Sequence, residues 1–392
     1  MAAPPVDPSW SDVIRFVQRS RLVRWCTPVL VLGLFVGVAR LNASKTRRAT
    51  VPVRNTAEVI ALVGTASAKP HSGTFTLSTN LGLGAIAASV SGNQLVSLAG
   101  GSNLARVWSD GATRSRVALL QPLQETDWIQ NATGTWVWQS SVSQAAHVSG
   151  PTTLAVPALG ALGALTALVG ETSVEPPDVV ASRLLTLSNK SGLSLSQSDY
   201  VAGRRAYELT MVPHSQVSLI THVTIAVDAS TGLPLRVVEY VRGQGAPIVD
   251  DRFQSVSFSQ PAASNFEFHP PPNARVFAAL TLGAALNPPR RIRRDARLFG
   301  TDGGGDREFG GPASIRIDGK GWDEVVVATG VPDFNLGDLF RTATRVSGAF
   351  GRGLLVRTSA LSVLFLRDDG LVAGVVTPER LEAALSHGRP AG

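Results

Sequence analysis

The chain has 392 residues, of which 44% are hydrophobic, so it can form two or three domains with a substantial core. Its 38 glycines, 24 prolines and low aromatic content of 6% favour a turn-rich β protein over a helical bundle. The single cysteine, Cys26, excludes an internal disulfide. Much of the positive charge behind the net value of +7 flanks an apolar segment, which is typical of an exported or membrane-inserted protein and argues against nucleic acid as a partner.

The apolar segment is the first element of the chain. Residues 27–39 carry no charge, and the run extends from 22 to 41, which is barely long enough to cross a bilayer. We interpret 22–41 as an uncleaved signal anchor, with residues 1–21 in the cytoplasm and the main domain outside a cytoplasmic membrane that the chain crosses once. The alternatives are cleavage at the small-residue site Gly37–Ala39 and a buried core helix.

A first group of β-strands follows a short helix, predicted at Thr56–Ala66 from its apolar spacing. Tight-turn residues such as Asp110-Gly111 separate the strands, so we expect a meander of sequential neighbours. The predicted strands are Gly73–Ser78, Ile86–Ser91, Gln94–Ala99, Leu104–Ser109, Arg114–Leu120, Glu125–Asn131 and Gly134–Gln139.

The pattern changes after Gly150, where a segment rich in leucine, alanine and glycine runs from Leu154 to Val169. Its leucines recur every third residue: Leu159, Leu162, Leu165 and Leu168. Three interpretations are open: a second membrane span, a core helix, or a mobile apolar lid. A further helix is predicted at Asp178–Leu187, and strands resume near Gly192.

A second group of strands is followed by the unusual segment Asn265–Ala274, which contains three consecutive prolines. The turn Asp228–Gly232 joins two of these strands, and no helix-length insert separates any of them, which predicts antiparallel pairing of neighbours. The predicted strands are Tyr207–Val212, Val217–Val227, Leu235–Arg242 and Arg252–Phe258.

The last part of the chain divides into a linker and a small module. Residues 278–312 contain an arginine cluster and three consecutive glycines, which predicts a flexible linker. Residues 313–388 are predicted as a small α+β domain. Its predicted strands are Asp323–Ala328, Leu354–Thr358, Ser362–Arg367 and Val372–Val376, and its predicted helices are Leu336–Thr342 and Pro378–Leu385.

No constellation of residues indicates catalysis. The six histidines are scattered, and the chain contains no HExxH pair, no GxSxG elbow and no phosphate-binding loop. Gly82–Ala87 matches a dinucleotide fingerprint only superficially, since it lies between predicted strands. We therefore expect a protein that is not an enzyme, with no metal and no cofactor.

Several segments resemble the LolA/RseB-like extracytoplasmic proteins of actinobacteria, in a membrane-anchored type. They are Gly203–Leu209, Val223–Arg236 and Phe266–Pro272, with Val107–Gly111, Arg116–Leu120 and Thr135–Trp138. The resemblance covers residues 50–277, and it implies an α+β protein whose antiparallel sheet is a curved, unclosed half-barrel with a helical lid over its concave apolar face. LolA-type members carry lipoprotein acyl chains, whereas RseB/MucB-type members regulate an anti-sigma factor.

From this resemblance we expect a module that binds lipid or lipoprotein acyl chains at the membrane. Its apolar groove would contain Trp108, Val117, Leu119, Trp128, Trp136, Trp138, Tyr207, Phe253 and Phe258. The four spaced leucines would form the lid. Arg106 and Arg116 are the candidates for the arginine that the carriers place in their cavity. The alternative is an interaction module for a membrane-bound regulatory protein such as an anti-sigma factor.

Overall fold

The computed structural model describes residues 52–66, 68–82, 100–149, 174–278, 314–329, 343–366 and 370–386, and all of them belong to one compact unit that begins at Val51. Several predicted segments lie outside these residues: the anchor 22–41, the strands Ile86–Ser91 and Gln94–Ala99, the leucine-rich 154–169, residues 279–312 of the linker, and the helix Leu336–Thr342. No helix in the described ranges is long and apolar enough to span a membrane.

The larger sheet has twelve strands in the order β12-β6-β5-β4-β3-β2-β1-β11-β10-β9-β8-β7. Two antiparallel meanders, β1–β6 and β7–β11, are joined where β1 pairs with β11, and β12 adds in parallel to β6. The order begins at β12 and ends at β7, so the sheet is unclosed, as expected. The strands are β1 His71–Asn80, β2 Gly100–Ser109, β3 Ser115–Gln121, β4 Gln124–Asn131, β5 Gly134–Gln139, β6 Gln144–Ser149, β7 Ser191–Val201, β8 Arg204–Pro213, β9 Ile220–Asp228, β10 Pro234–Val241, β11 Val249–Ser257 and β12 Arg275–Ala278.

Two helices, α1 (Thr56–Ala66) and α2 (Pro177–Leu185), pack on one face of this sheet, which we call the inner face. Helix α1 begins with a capping box, because Asn55 and Glu58 each accept a hydrogen bond from the other's backbone N–H at 2.9–3.0 Å. Its buried residues Val59, Val63 and Ala66 lie on one side of the helix. Both helices were predicted at nearly these bounds.

The inner face carries two apolar clusters. The first lies on β1–β6 and β11 and includes Phe75, Val117, Trp128 and Phe253. The second lies between the two helices and strands β8–β10, and it includes Tyr207 and Ile225. Because side chains alternate along a strand, the residues between these point to the opposite, outer face.

The segment after β11 crosses the outer face. A 3-10 turn at Ala263–Phe266 buries the Phe266 ring, whose backbone carbonyl accepts a hydrogen bond from Asn131 Nδ2 at 3.1 Å. Phe268 then packs against Trp136 and Trp138, with ring centroids 5.5 and 6.0 Å apart. The segment Asn265–Ala274 therefore belongs to a connection that crosses the outer face and ends in β12.

The smaller sheet has six strands in the order β13-β14-β18-β17-β16-β15. Helix α3 (Pro378–Ser386) packs on it, and Leu364, Val372, Leu381 and Ala384 share its apolar cluster. The strands are β13 Ser314–Asp318, β14 Val325–Thr329, β15 Thr344–Gly348, β16 Gly351–Arg357, β17 Ser362–Leu366 and β18 Gly370–Gly374.

The C-terminal module docks directly onto the larger sheet. Trp322 is buried in the second inner cluster, and its Nε1 donates a hydrogen bond to Ser191 Oγ at 2.9 Å. Leu219 N donates to the Val375 carbonyl at 2.9 Å, and Thr377 N donates to the Val217 carbonyl at 2.8 Å. The strand predicted from Val217 begins at Ile220 because these preceding residues pair with the C-terminal module instead.

Candidate functional site

The inner face presents a continuous apolar row across five neighbouring strands. Val107, Val117, Trp128, Val137 and Ala146 lie directly opposite one another in the register of β2–β6, and all five are buried. Four inter-strand spacings make this row about 19 Å long. A second row, Phe253, Phe75, Ala105 and Leu119, runs beside it. An elongated apolar ligand lying across the strands would fit this geometry.

Most of the predicted groove residues lie on the inner face. Val117, Leu119, Trp128 and Phe253 belong to the first cluster, and the half-buried Phe258 packs against it. Tyr207 belongs to the second cluster, and its hydroxyl donates a hydrogen bond to the Pro52 carbonyl at 2.8 Å.

Trp108, Trp136 and Trp138 lie on the outer face, so the nine residues do not form one groove. Trp136 and Trp138 share a side of β5, as their spacing predicted, but Val137 between them faces the inner cluster. Trp108 lies opposite Arg116, whose guanidinium is 5.5 Å from the centre of the indole ring. All three tryptophans are half-buried.

The two candidate arginines also lie on the outer face. Arg106 alternates with the inward Ala105 and Val107 and is exposed. The Arg116 guanidinium bonds Asp127 at 2.9 Å and Glu125 at 3.4 Å. Neither arginine therefore points toward the apolar rows. The four lid leucines, Leu159, Leu162, Leu165 and Leu168, lie outside the described residues.

A buried acidic seam, formed by Asp251, Asp178 and Glu175, lies between the two apolar clusters. The sequence analysis did not predict it. Asp251 on β11 lies directly opposite two apolar residues on the neighbouring strands. One is Leu77, which packs against the first cluster, and the other is Val237, which belongs to the second cluster. Asp251 lies on the same side of β11 as the inward Val249 and Phe253, its exposed fraction is 0%, and neither carboxylate oxygen has a hydrogen-bond partner within the described part of the chain. The sequence prediction began this strand at Arg252 and so excluded Asp251.

Burial raises the pKa of Asp251 well above its usual range, and the nearby carboxylates of Asp178, Asp250, Glu175 and Glu239 raise it further. Two of these neighbours already have basic partners. Asp178 on α2 lies 3.5 Å from His71 Nε2, and Glu175 bonds Arg183 at 2.6 Å. No group of three His, Cys, Asp or Glu side chains in the described ranges is arranged to hold a metal ion.

No protein-family model matches the chain, and no curated protein matches it in sequence. Among solved structures it is similar to MucB in complex with MucA(peri), at 18% identity over 84% of this chain and 97% of that one, with a TM-score of 0.41.

The Pseudomonas aeruginosa MucA/MucB complex also matches, at 17% identity over 84% of this chain and 96% of that one, with a TM-score of 0.41. A LolA-superfamily protein from Nitrosomonas europaea matches at 11% identity over 53% of this chain and 96% of that one, with a TM-score of 0.24. These structures belong to the same group of LolA/RseB-like proteins that the sequence resembles.

Proposed function

We propose that this protein is a non-enzymatic module, held outside the cytoplasmic membrane by residues 22–41, that binds lipid or lipoprotein acyl chains on the inner face of its larger sheet. The observation that supports this most is the pair of contiguous apolar rows on one face of an unclosed sheet, the same face on which two helices pack. A sheet of this kind offers its whole breadth to an elongated ligand.

The energetics favour an acyl chain without a charged anchor. Each buried methylene contributes roughly 0.8 kcal/mol, so a chain of about fourteen carbons supplies on the order of ten kcal/mol before entropy losses. Because the inner-face residues are already buried, entry requires the cover to move. We assign this movement to α2 and to the leucine-rich segment 154–169 that precedes it, with Leu159, Leu162, Leu165 and Leu168 as the lid.

The test is photo-crosslinking with a diazirine-bearing fatty acid added to the full chain in lipid nanodiscs, followed by peptide mass spectrometry. We expect crosslinks on the inner strands, at Trp128, Val137 and Phe253. The outer face of the same strands is a matched internal control, because Trp136 and Trp138 alternate with Val137. Crosslinks confined to those two tryptophans, or none in excess of empty nanodiscs, would contradict the proposal.

The second candidate is an interaction module that binds a membrane regulatory protein such as an anti-sigma factor. The specific observation in its favour is β15, the edge strand of the smaller sheet, with which only β16 pairs in the described residues. Four of its residues are exposed: Thr344, Arg345, Ser347 and Gly348. Such an edge can accept an extended segment of another chain. A photoreactive residue at Ser347 should then crosslink one membrane protein reproducibly, while the fatty-acid probe gives no inner-face product.

A further inference from the structure

The acidic seam contains one carboxyl group that its own partners do not satisfy. Glu175 is paired with Arg183, and Asp178 with His71. Asp251 has no such partner in the residues that the structure describes, although its side chain is inaccessible to solvent. A buried carboxyl group without hydrogen bonds is costly, and native proteins rarely keep one without a role.

The surroundings of Asp251 indicate what could satisfy it. The seam lies between the two apolar clusters, directly beside Leu77 and Val237. A ligand group that reaches Asp251 must therefore be attached to an apolar body that lies on the inner face. A cationic head that reaches Asp251 stabilises the charged carboxylate form of this group. One carboxylate calls for one positive charge, because a cation of higher charge would leave an excess behind.

We propose that the acidic seam binds the ammonium or guanidinium head of an amphipathic ligand whose alkyl part lies on the apolar rows. This inference rests on the proposed acyl-chain function and specifies the ligand class for the same face. A cationic head donates charge-assisted hydrogen bonds to the Asp251 carboxylate, and these bonds are strongest where water is excluded. The Asp178 oxygen Oδ1, also buried and without a hydrogen-bond partner among the described residues, offers a second acceptor.

The experiment compares octylamine with octanol, which have the same alkyl chain, by isothermal titration of the full chain in nanodiscs against empty nanodiscs. We expect octylamine to bind about ten-fold more tightly than octanol, the increment of one hydrogen bond to a charged group. Asp251→Asn should reduce this preference to less than about two-fold.

Asp250→Asn is the matched control, because this neighbouring carboxylate lies outside the seam and bonds Arg236 at 2.7 and 2.8 Å. It should keep the full preference for the amine. Equal affinities of the unaltered chain for octylamine and octanol would overturn the inference, whether or not Asp251→Asn folds, and so would a preference that Asp251→Asn retains.

The two proposals fail in different ways. If neither octanol nor octylamine binds, the acyl-chain function fails and the seam proposal fails with it. If octanol binds and octylamine shows no advantage, only the seam proposal fails. An octylamine advantage that depends on Asp251 supports both.

Discussion

At the scale of single residues, Asp228 organises the turn between β9 and β10. Its carboxylate accepts hydrogen bonds from Thr231 N at 2.7 Å, from Ser230 N at 3.1 Å and from both hydroxyl groups of these residues. Burial alone would raise its pKa, but the hydrogen bonds from Arg204, Ser230 and Thr231 outweigh it and lower the pKa to about 2. The carboxylate is therefore needed in its charged form.

We predict that Asp228→Asn lowers the free energy of unfolding at pH 7 by about 2 kcal/mol, following the depressed pKa. The folded-state pKa lies below the ordinary value of 3.8, so this stability is fully present above pH 3.8 and is lost as the pH falls through about 2. Urea titrations at a series of pH values measure the difference. Asp250→Asn is the control, because its half-exposed pair with Arg236 should contribute less than about 1 kcal/mol.

The pKa of Asp127 is shifted in the opposite direction to that of Asp228. Burial and the neighbouring Glu125 together raise its pKa to about 7, although Arg116 opposes the shift. The folded protein holds this proton between pH 3.8 and about 7 whereas the unfolded chain releases it, so stability declines as the pH rises through this range.

Asp127→Asn should therefore stabilise the protein at pH 7.5 by at least about 1 kcal/mol and have little effect at pH 4. The asparagine keeps an oxygen that can accept the hydrogen bond from Arg116 Nε. Thermal unfolding at the two pH values measures this difference. A variant that is less stable than the original chain at pH 7.5 would show that the Arg116 ion pair outweighs burial.

The groove residues show what the sequence can and cannot specify at this scale. Alternation placed Trp136 and Trp138 on one side of a strand, and the structure confirms it. Alternation alone does not tell which side the helices cover, and preferring the large aromatic residues selected the side of β5 that points away from the inner face. Asp251 was missed because the predicted strand began one residue later, at Arg252.

At the scale of elements, helix α1 packs closely on the β9–β10 turn. Gly232 has a positive φ of 83°, and a Cβ atom there would lie 2.4 Å from the Leu62 carbonyl oxygen. Lys69 Nζ also donates a hydrogen bond to the Thr231 carbonyl at 2.9 Å. The turn therefore holds the helix at a fixed position over the inner face.

Two alanine substitutions separate this packing from backbone strain. Gly203 has a similar φ of 73°, but nothing lies within 4 Å of its Cβ position. Gly203→Ala should cost about 1 kcal/mol from strain alone, whereas Gly232→Ala should cost about 3 kcal/mol or more because α1 must shift. Chemical denaturation of both variants measures the difference between their losses in free energy of unfolding. Equal losses would show that α1 moves freely over the turn.

The strands that the sequence predicted are those with clear alternation or tight turns, and most were confirmed within a few residues. Two of the missed strands, β6 and β12, lack that local signal. β6 is short and contains only three apolar residues among six, and β12 pairs with it in parallel across more than a hundred residues of sequence. Pairing over such a distance is decided by the tertiary fold, and no local pattern reports it.

At the scale of the whole molecule, the C-terminal module contributes a side chain to the core of the larger sheet. Trp322 lies in the same apolar cluster as Leu184 and Leu185 of α2, and Ser191, which accepts its hydrogen bond, donates to the Leu187 carbonyl at 2.9 Å. The sequence predicted a separate module behind a flexible linker, and a linker's composition does not reveal that the module beyond it is docked.

We therefore predict that the two sheets unfold as one cooperative unit. Leu364→Ala, in the core of the smaller sheet, should lower stability by about 2–5 kcal/mol and should weaken amide protection equally in β17 and in β8–β9. Native-state hydrogen exchange resolves these strands separately. Adding Trp322→Ala should uncouple them, because it removes the side chain of the C-terminal module that packs in the second inner cluster. In that double variant, Leu364→Ala should no longer weaken the amide protection of the larger sheet. Full protection of β8–β9 in the Leu364→Ala single variant would mean that the two modules unfold independently.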